Sequence, residues 1–413
     1  MEKIYETCCG IDVHKKLMVA CLRKGNSICG TRSFGATTDD LKELAAWLKE
    51  NTCEIAAMES TASYWKPLYN ILEEEGLNAI VVNASHVKQV PGRKTDVNDA
   101  QWLADLLQHG LLNPSFIPGK RQRELRELTT YRKSITAEKT RDLNRMQKVM
   151  EGGNIKLSGT LSDIKGKTAS NLIKCVVSGE TIDSEKYDQM YQEGLIAHNI
   201  KASKEQIIAD MNGVFSDMQK ALLKKMQERI DREIQDIKDL DVIIDEAMTT
   251  EEKQACTMIQ DIPGIGEVSS KLIISVLGTD VSRFPDDNHI SSWAGLCPGN
   301  NQSAGKRRSS KTTKGNNLLR STLVICAHSA VKDKSTFYHA QYERIRKRRG
   351  NKRAIVAVAH SMLIAIYHML KYGEGYKELG SDYYYRYVDR EAQVQTYIRK
   401  LNELGYAAKL TAF

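Results

Sequence analysis

Tyr5-Glu6-Thr7-Cys8-Cys9-Gly10-Ile11-Asp12-Val13 opens the chain as a short, mostly apolar run with one acid near its end. The polar pair Lys15-Lys16 follows it, so the run predicts a strand closed by a turn. A second strand spans 17–22 and a third lies near 27–34, joined by a turn at Lys24-Gly25-Asn26. Together they predict a β-meander. Thr38-Asp39 caps a helix to about Glu50, with Leu41, Leu44, Ala45 and Leu48 inward. Residues 54–58 form a short buried-type strand ending in Glu59, 63–75 a helix, and 78–82 another apolar strand. A last helix, Asp96 to His109, carries the stripe Ala100, Leu103, Leu106 and Leu107.

Three strands, helix, strand, helix, strand, helix is the order of an α/β ribonuclease H-like layer fold. Such a fold gives the acids a meeting place. Asp12 is in the first strand, Glu59 closes the fourth, and Asp96 and Asp99 share one face of the late helix. An unpaired carboxylate in an apolar strand is costly to bury, which singles out Asp12. Glu59 has an alternative as the cap of the Ser/Thr-rich turn after it, and an Asp-x-x-Asp pair alone is a favourable helix start. Four gathered carboxylates repel one another unless a cation neutralises them, and hard oxygen donors suit Mg²⁺ or Mn²⁺. Two such ions can clamp both oxygens of a phosphodiester displacement. His14, Lys15 and Lys94 flank the acids, as phosphate contacts or as solvated turn residues.

The chain has 413 residues, 41% of them hydrophobic and 27% charged, room for two or three soluble domains. No eighteen-residue apolar window predicts a membrane span, and the first residues are not a signal peptide. Nine cysteines lack Cys-x-x-Cys or Cys/His zinc spacing, which fits a reducing cytoplasm. Charge is distributed unevenly. Ser303 to Arg353 holds 15 Lys and Arg against Asp333 and Glu343, leaving about −5 for the rest out of a total of +8. A basic module on a mildly acidic body predicts a nucleic-acid partner.

Gly10-Ile11-Asp12-Val13-His14-Lys15, Met58-Glu59-Ser60-Thr61 and Lys94-Thr95-Asp96-x-x-Asp99-Ala100 resemble the Asp-Glu-Asp-Asp transposases of the insertion-sequence 110 group. These are bridge-RNA-guided recombinases whose N-terminal domain is similar to the Holliday-junction resolvase RuvC. The resemblance continues at the other end of the chain. There, Trp293 to Gly299, Asn301 to Arg308 and Lys314 to Arg320 are similar to that family's C-terminal domain, whose serine is the nucleophile. Ser303 is the residue that matches; Ser309 and Ser310 do not.

Between the ends, Gly119 to about Met150 is helical, with Arg121, Arg123, Arg126, Arg132, Lys133, Arg141 and Arg145 on it. This is either a helix along nucleic acid or a solvated face with a packed stripe behind. Residues 151–202 are less periodic. Lys204 to about Met248 is one long helix or two in succession, with a coiled-coil-like stripe from Met211 to Ile244. The stripe closes an intramolecular hairpin or pairs with another protomer, and the resemblance favours the second. Ile262-Pro263-Gly264-Ile265-Gly266 predicts a helix-hairpin-helix turn offering N–H groups to phosphate. Lys306, Arg307, Arg308, Lys314, Arg320, Arg346, Arg348 and Arg349 are further nucleic-acid contacts. The tyrosines of 383–387 stack on bases or simply pack.

The expected organisation is therefore a RuvC-like metal-binding domain (1–118), a helical coiled-coil arm (119–250) and a mainly α transposase domain (251–413). The resemblance implies a DNA recombinase of a prokaryotic, nucleoid-associated kind. Ser303 would attack donor and target duplex DNA, assisted by the metal-bearing acids, under a structured guide RNA and as a dimer or tetramer. Two other readings stand beside it: a metal-dependent resolvase without a covalent intermediate, and a non-catalytic nucleic-acid-binding protein.

Overall fold

The structure, a computed structural model, describes residues 3–83, 99–161, 166–299, 301–303, 306–309, 311–386 and 390–407. Chain contacts divide it into two units, Met1–Lys120 and Arg121–Phe413.

The first unit is a five-stranded mixed sheet of order β3-β2-β1-β4-β5. β1 (Thr7–Val13), β2 (Leu17–Lys24) and β3 (Ser27–Gly35) are the antiparallel meander; β4 (Ile55–Glu59) and β5 (Ala79–Val82) join in parallel on the far side of β1. The arrangement is consistent with a ribonuclease H-like domain. Strand alternation sorts the side chains cleanly. Cys9, Ile11, Met18, Ala20, Ala56 and Met58 face one way, onto Leu41, Leu44 and Leu48 of α1 (Thr38–Glu50) and Leu68 and Leu72 of α2 (Trp65–Glu74). Cys8, Cys21, Ala57 and Val82 face the other way, onto α3 (Asp99–Gln108). The cap of α1 is Thr37, one residue before the predicted one. Its hydroxyl accepts from the Asp40 N–H while the Asp40 carboxylate accepts from the Thr37 N–H, a reciprocal capping box.

The second unit is helical around two cores. α4 (Lys120–Gly152) and α9 (Asp217–Ala247) run antiparallel, tied by Arg132 to Asp241 near one end and Arg229 to Asp142 toward the other. The stretch that lacked periodicity folds into α5 (Leu157–Thr160), α6 (Lys167–Ser178) and α7 (Ser184–Gln192). With α8 (Lys204–Met211) they enclose a core of their own, where Met146 and Met150 meet Leu172, Ile173, Met190, Ile207 and Leu223. Residues 204–248 are two helices: the Val214 N–H donates to the Gly153 carbonyl at 2.9 Å, turning the chain between them. α4 and α9 thus form an intramolecular hairpin with a packed cap.

The C-terminal part packs α10 (Thr250–Ile259), α11 (Glu267–Leu277), α12 (Asp287–Trp293), α13 (Asn317–Ala330), α14 (Phe337–Arg349) and α15 (Asn351–Tyr372) around one core, which Leu125 of α4 and Ile244 of α9 also enter. α15 is, among the described residues, a helix long and apolar enough to cross a membrane. Its apolarity is that of a core helix: Val358, Ala359, Met362, Leu363 and Ile366 are fully buried. α16 (Tyr383–Arg386) lies against α14, and α17 (Arg390–Glu403) follows.

Candidate active site and nucleic-acid interface

Gly10 decides how the acidic edge of the first unit is built. A Cβ there would lie 2.2 Å from the Ala100 carbonyl oxygen and 2.4 Å from the Ala104 nitrogen. Only glycine lets the α3 backbone rest on β1 so closely. Asp12 is two residues on, so it points to the same face of the sheet. Its cross-strand partner is Val19, which packs against Ala100 and Ala104. β4 runs parallel to β1 with Ile11 beside Met58, so one step further Asp12 stands level with Glu59. Glu59 shares its face with Ala57, again the α3 side. Asp99 is in the first turn of α3, next to the Ala100 that touches Gly10.

Asp12, Glu59 and Asp99 are therefore directed to one face at the carboxyl ends of two adjacent strands, each half-buried. The Asp12 carboxylate lies 2.9 Å from His14 Nε2, with the imidazole mostly exposed. Lys15 is exposed in the turn. Asp96 and Lys94 lie outside the described residues. Among the described residues no three His, Cys, Asp or Glu side chains gather closely enough to hold an ion. The donors are carboxylate oxygens, which fits Mg²⁺ or Mn²⁺ chemically.

Ser303 is not in a loop. It ends β6 (Asn301–Ser303), opposite Lys306 of β7 (Lys306–Ser309). The side chains of this hairpin, Ser303, Lys306, Arg307 and Arg308 included, lie outside the described residues. Below it the pairing continues through Gly299 N–H to the Lys311 carbonyl (2.9 Å), a Pro298–Thr312 bridge, and Thr313 N–H to the Cys297 carbonyl (3.1 Å). Gly295, at φ +70°, anchors the base. A Cβ on Gly315 would sit 2.2 Å from the Gly295 nitrogen, so the two backbones touch. Asn316 then caps α13, accepting from the Leu319 N–H.

The basic residues fall into two groups. Those on α4 are largely paired with acids or hydroxyls. Arg121 clasps Glu252 with both terminal nitrogens (2.9 and 2.6 Å), Arg132 donates to Asp241 through Nε and Nη2, and Arg145 meets Asp142 at 2.6 Å. Burial pushes Lys133 below the usual lysine range, and it donates to Ser321 (2.8 Å) and Thr322 (3.3 Å). Arg121, Arg132 and Lys133 tie α4 to other helices, whereas Arg141 and Arg145 are exposed and pair with acids of α4 itself. The second group is gathered at a cavity of about 740 Å³ beside the hairpin base, lined by Lys311, Arg320, Arg349, Lys352, Arg353 and His360 together with aliphatic residues. Arg320 and Arg349 were expected at nucleic acid; Lys311 and His360 were not singled out. The signal for His360 was its spacing: Lys352, Val356 and His360 are four apart and share a helical face.

Of the other expected contacts, Lys314 and Arg348 are exposed, and Arg346 pairs with Glu343 at 2.7 Å. Gly264, at φ +88°, presses its bare Cα onto α13: a Cβ would lie 2.5 Å from the Cys326 carbonyl oxygen. Its lack of a side chain serves that packing. Gly266 is exposed at the start of α11. Of the tyrosines, Tyr383 packs edge-on against Phe337, and Tyr384 stacks on Phe337 and lies under the Arg344 guanidinium at 4.3 Å; Tyr387 and the side chain of Tyr385 lie outside the described residues.

Comparison with known proteins agrees at both ends. Residues 9–155 match the family profile for the Asp-Glu-Asp-Asp transposase domain of the IS110 group, and residues 256–343 match "Transposase IS116/IS110/IS902 family". The chain is 21% identical over 332 residues to the transposase for insertion sequence element IS1111A of Coxiella burnetii, covering 79% of each chain. It is 27% identical over 125 residues to the putative transposase y4pF/y4sB of Sinorhizobium fredii, covering 29% of this chain and 32% of that one. Two domain profiles of one family, in order and together spanning more than half of the sequence, place it: the chain belongs to the IS110 family of transposases.

Proposed function

We propose that this transposase cleaves and rejoins DNA strands with Ser303 as the nucleophile, assisted by a divalent ion on Asp12, Glu59, Asp96 and Asp99. The observation that supports the acidic half is the seat of α3 on Gly10, which directs Asp99 to the face and strand ends that carry Asp12 and Glu59. Mg²⁺ or Mn²⁺ bound there would neutralise phosphate charge and orient the reacting oxygens. Asp12 is kept in place by its pairing with Val19 of β2, and His14 rests on its carboxylate.

For the serine half, the hairpin presents Ser303 where β6 turns into β7, beside Lys306. The Ser303 oxygen forms a bond to phosphorus, the bond to the leaving sugar oxygen breaks, and the proton lost by the serine hydroxyl is balanced by the one taken up as that sugar oxygen leaves as a free hydroxyl. The resulting phosphoserine link keeps the energy of the cleaved bond for rejoining. The positive residues at the hairpin base neutralise the DNA backbone. A structured RNA chooses donor and target, and the complex assembles from two or four copies. The α9 residues Met218 and Leu222, exposed in the single chain, are the surface for that assembly.

The acidic half is tested by strand cleavage with purified protein, its co-purified RNA and duplex DNA. Cleavage that requires Mg²⁺ or Mn²⁺ and is lost in Asp12→Asn supports it. Unchanged cleavage by Asp12→Asn in the presence of a chelator removes the metal site from the reaction.

A further inference from the structure

The cavity beside the hairpin base has a composition that a plain phosphate-binding groove does not need. Its wall is aliphatic: Leu296, Pro298, Val356 and Ala357. Its cations, Lys311, Arg320, Arg349, Lys352 and Arg353, come from the hairpin, α13, the end of α14 and the start of α15, and no Asp or Glu is among the lining residues. Between these classes stand Thr312 and, on α15, His360. His360 stands two turns along α15 from Lys352 and one turn from Val356.

Burial holds His360 below the ordinary histidine range, opposed by the nearby Asp287 carboxylate. A neutral imidazole offers one donor and one acceptor. The cavity's volume, about 740 Å³, lies within the range of roughly 300–1,000 Å³ typical of small-molecule sites. An intact duplex would meet the cations with its phosphates and leave both the aliphatic wall and the imidazole unused. A nucleotide out of the stack uses all three: base on the wall, base edge on the imidazole, flanking phosphates on the cations.

We propose that this cavity is a pocket for a single unpaired nucleotide, its base held between Leu296, Pro298, Val356 and Ala357 and hydrogen-bonded to His360, its phosphates held by Arg320, Arg349 and Lys352. The pocket rests on the nucleic-acid reading above but not on its chemistry. It gives the protein a way to recognise a distorted or single-stranded point in its substrate, in DNA or in RNA.

Binding of full-length protein in chelator, by fluorescence anisotropy, tests it with three hairpin probes: fully paired, carrying one bulged thymidine, and carrying an abasic bulge at the same point, each also made as RNA with uridine. The bulged base binds about tenfold tighter than the abasic bulge. His360→Ala and Ala357→Trp, the second filling the cavity, erase that difference while the paired probe binds as before. His360→Gln, which keeps a donor and an acceptor, retains part of it. The DNA and RNA arms show which strand supplies the nucleotide. Equal binding of base and abasic bulges by the unaltered protein, or a preference that survives both His360→Ala and Ala357→Trp, overturns the pocket. Failure to bind any probe overturns the nucleic-acid reading as well, so the two failures are distinct.

Discussion

Gly10 and Ala100 are in direct backbone contact, leaving no space for even a methyl group on Gly10. The contact seats α3, and through it the first-turn carboxylate of Asp99, over the strand that carries Asp12. Gly10→Ala is therefore expected to cost ~3 kcal/mol, the upper end for an overpacked site, because the atoms in the way are backbone and cannot swing aside. Thermal unfolding measures this, and a variant as stable as the parent would show that α3 is free to shift.

Metal binding is expected to raise the melting temperature, since an ion bound only by the folded form adds about 2.7 kcal/mol at a hundred times its dissociation constant. Asp12→Asn and Asp99→Asn each remove most of the Mg²⁺- or Mn²⁺-dependent rise and leave the metal-free melting temperature nearly unchanged. An equal rise in all three proteins places the ion elsewhere.

Between α4 and α9, Glu233 is buried against Asp142, and Arg229 reaches both carboxylates at 3.2 and 2.7 Å. Burial, with Asp142 adding to it, pushes the Glu233 carboxyl above its ordinary range. The folded state then binds more protons than the unfolded chain just above that range, so stability falls as pH rises through it. Glu233→Gln is expected to flatten this fall and to leave stability at lower pH unchanged. Chemical denaturation across pH 4 to 7 measures it; an identical slope in both proteins would mean that Glu233 titrates normally.

Duplex binding should weaken linearly with the logarithm of salt concentration. The double substitution Arg349→Ala with Lys352→Ala, at the cationic cavity, is expected to reduce that slope by about 2 for two lost phosphate contacts. Arg132→Ala, on α4, should leave the slope unchanged and lower stability instead, because it strands Asp241. The reverse pattern would place the DNA along α4.

These contrasts mark how far the sequence could be read. β1, β2, β4 and β5 were legible because their apolar residues are divided between two covered faces; β3 is largely exposed and was legible from the turn at Lys24-Gly25-Asn26 before it. Asp12 and Glu59 stood out because acids seldom interrupt such strands. The cations of α4 could not be assigned, since Asp241 and Glu252, which neutralise Arg132 and Arg121, lie more than a hundred residues away in the chain. In the segment 151–202, α5 and α7 are short and pack on Met146, Met150 and Ile207, while α6 carries a helical stripe of its own, Ala169, Leu172, Ile173 and Val176, that the sequence reading passed over. The hairpin around Ser303 was hidden because its strands are polar, and its base is fixed by Gly295 against Gly315, twenty residues apart. The resemblance to a family supplied Ser303, which no local pattern distinguishes from Ser309.

The serine is best tested by trapping. A nicked duplex substrate, whose cleaved end diffuses away, is incubated with protein, co-purified RNA and Mg²⁺, then denatured, and the protein is mapped by peptide mass spectrometry. A DNA adduct on the peptide carrying Ser303, absent in Ser303→Ala although that variant still binds DNA, is the expected result. Metal-dependent cleavage without any adduct, or at near-normal rate by Ser303→Ala, would contradict the serine mechanism and leave a hydrolytic resolvase in its place.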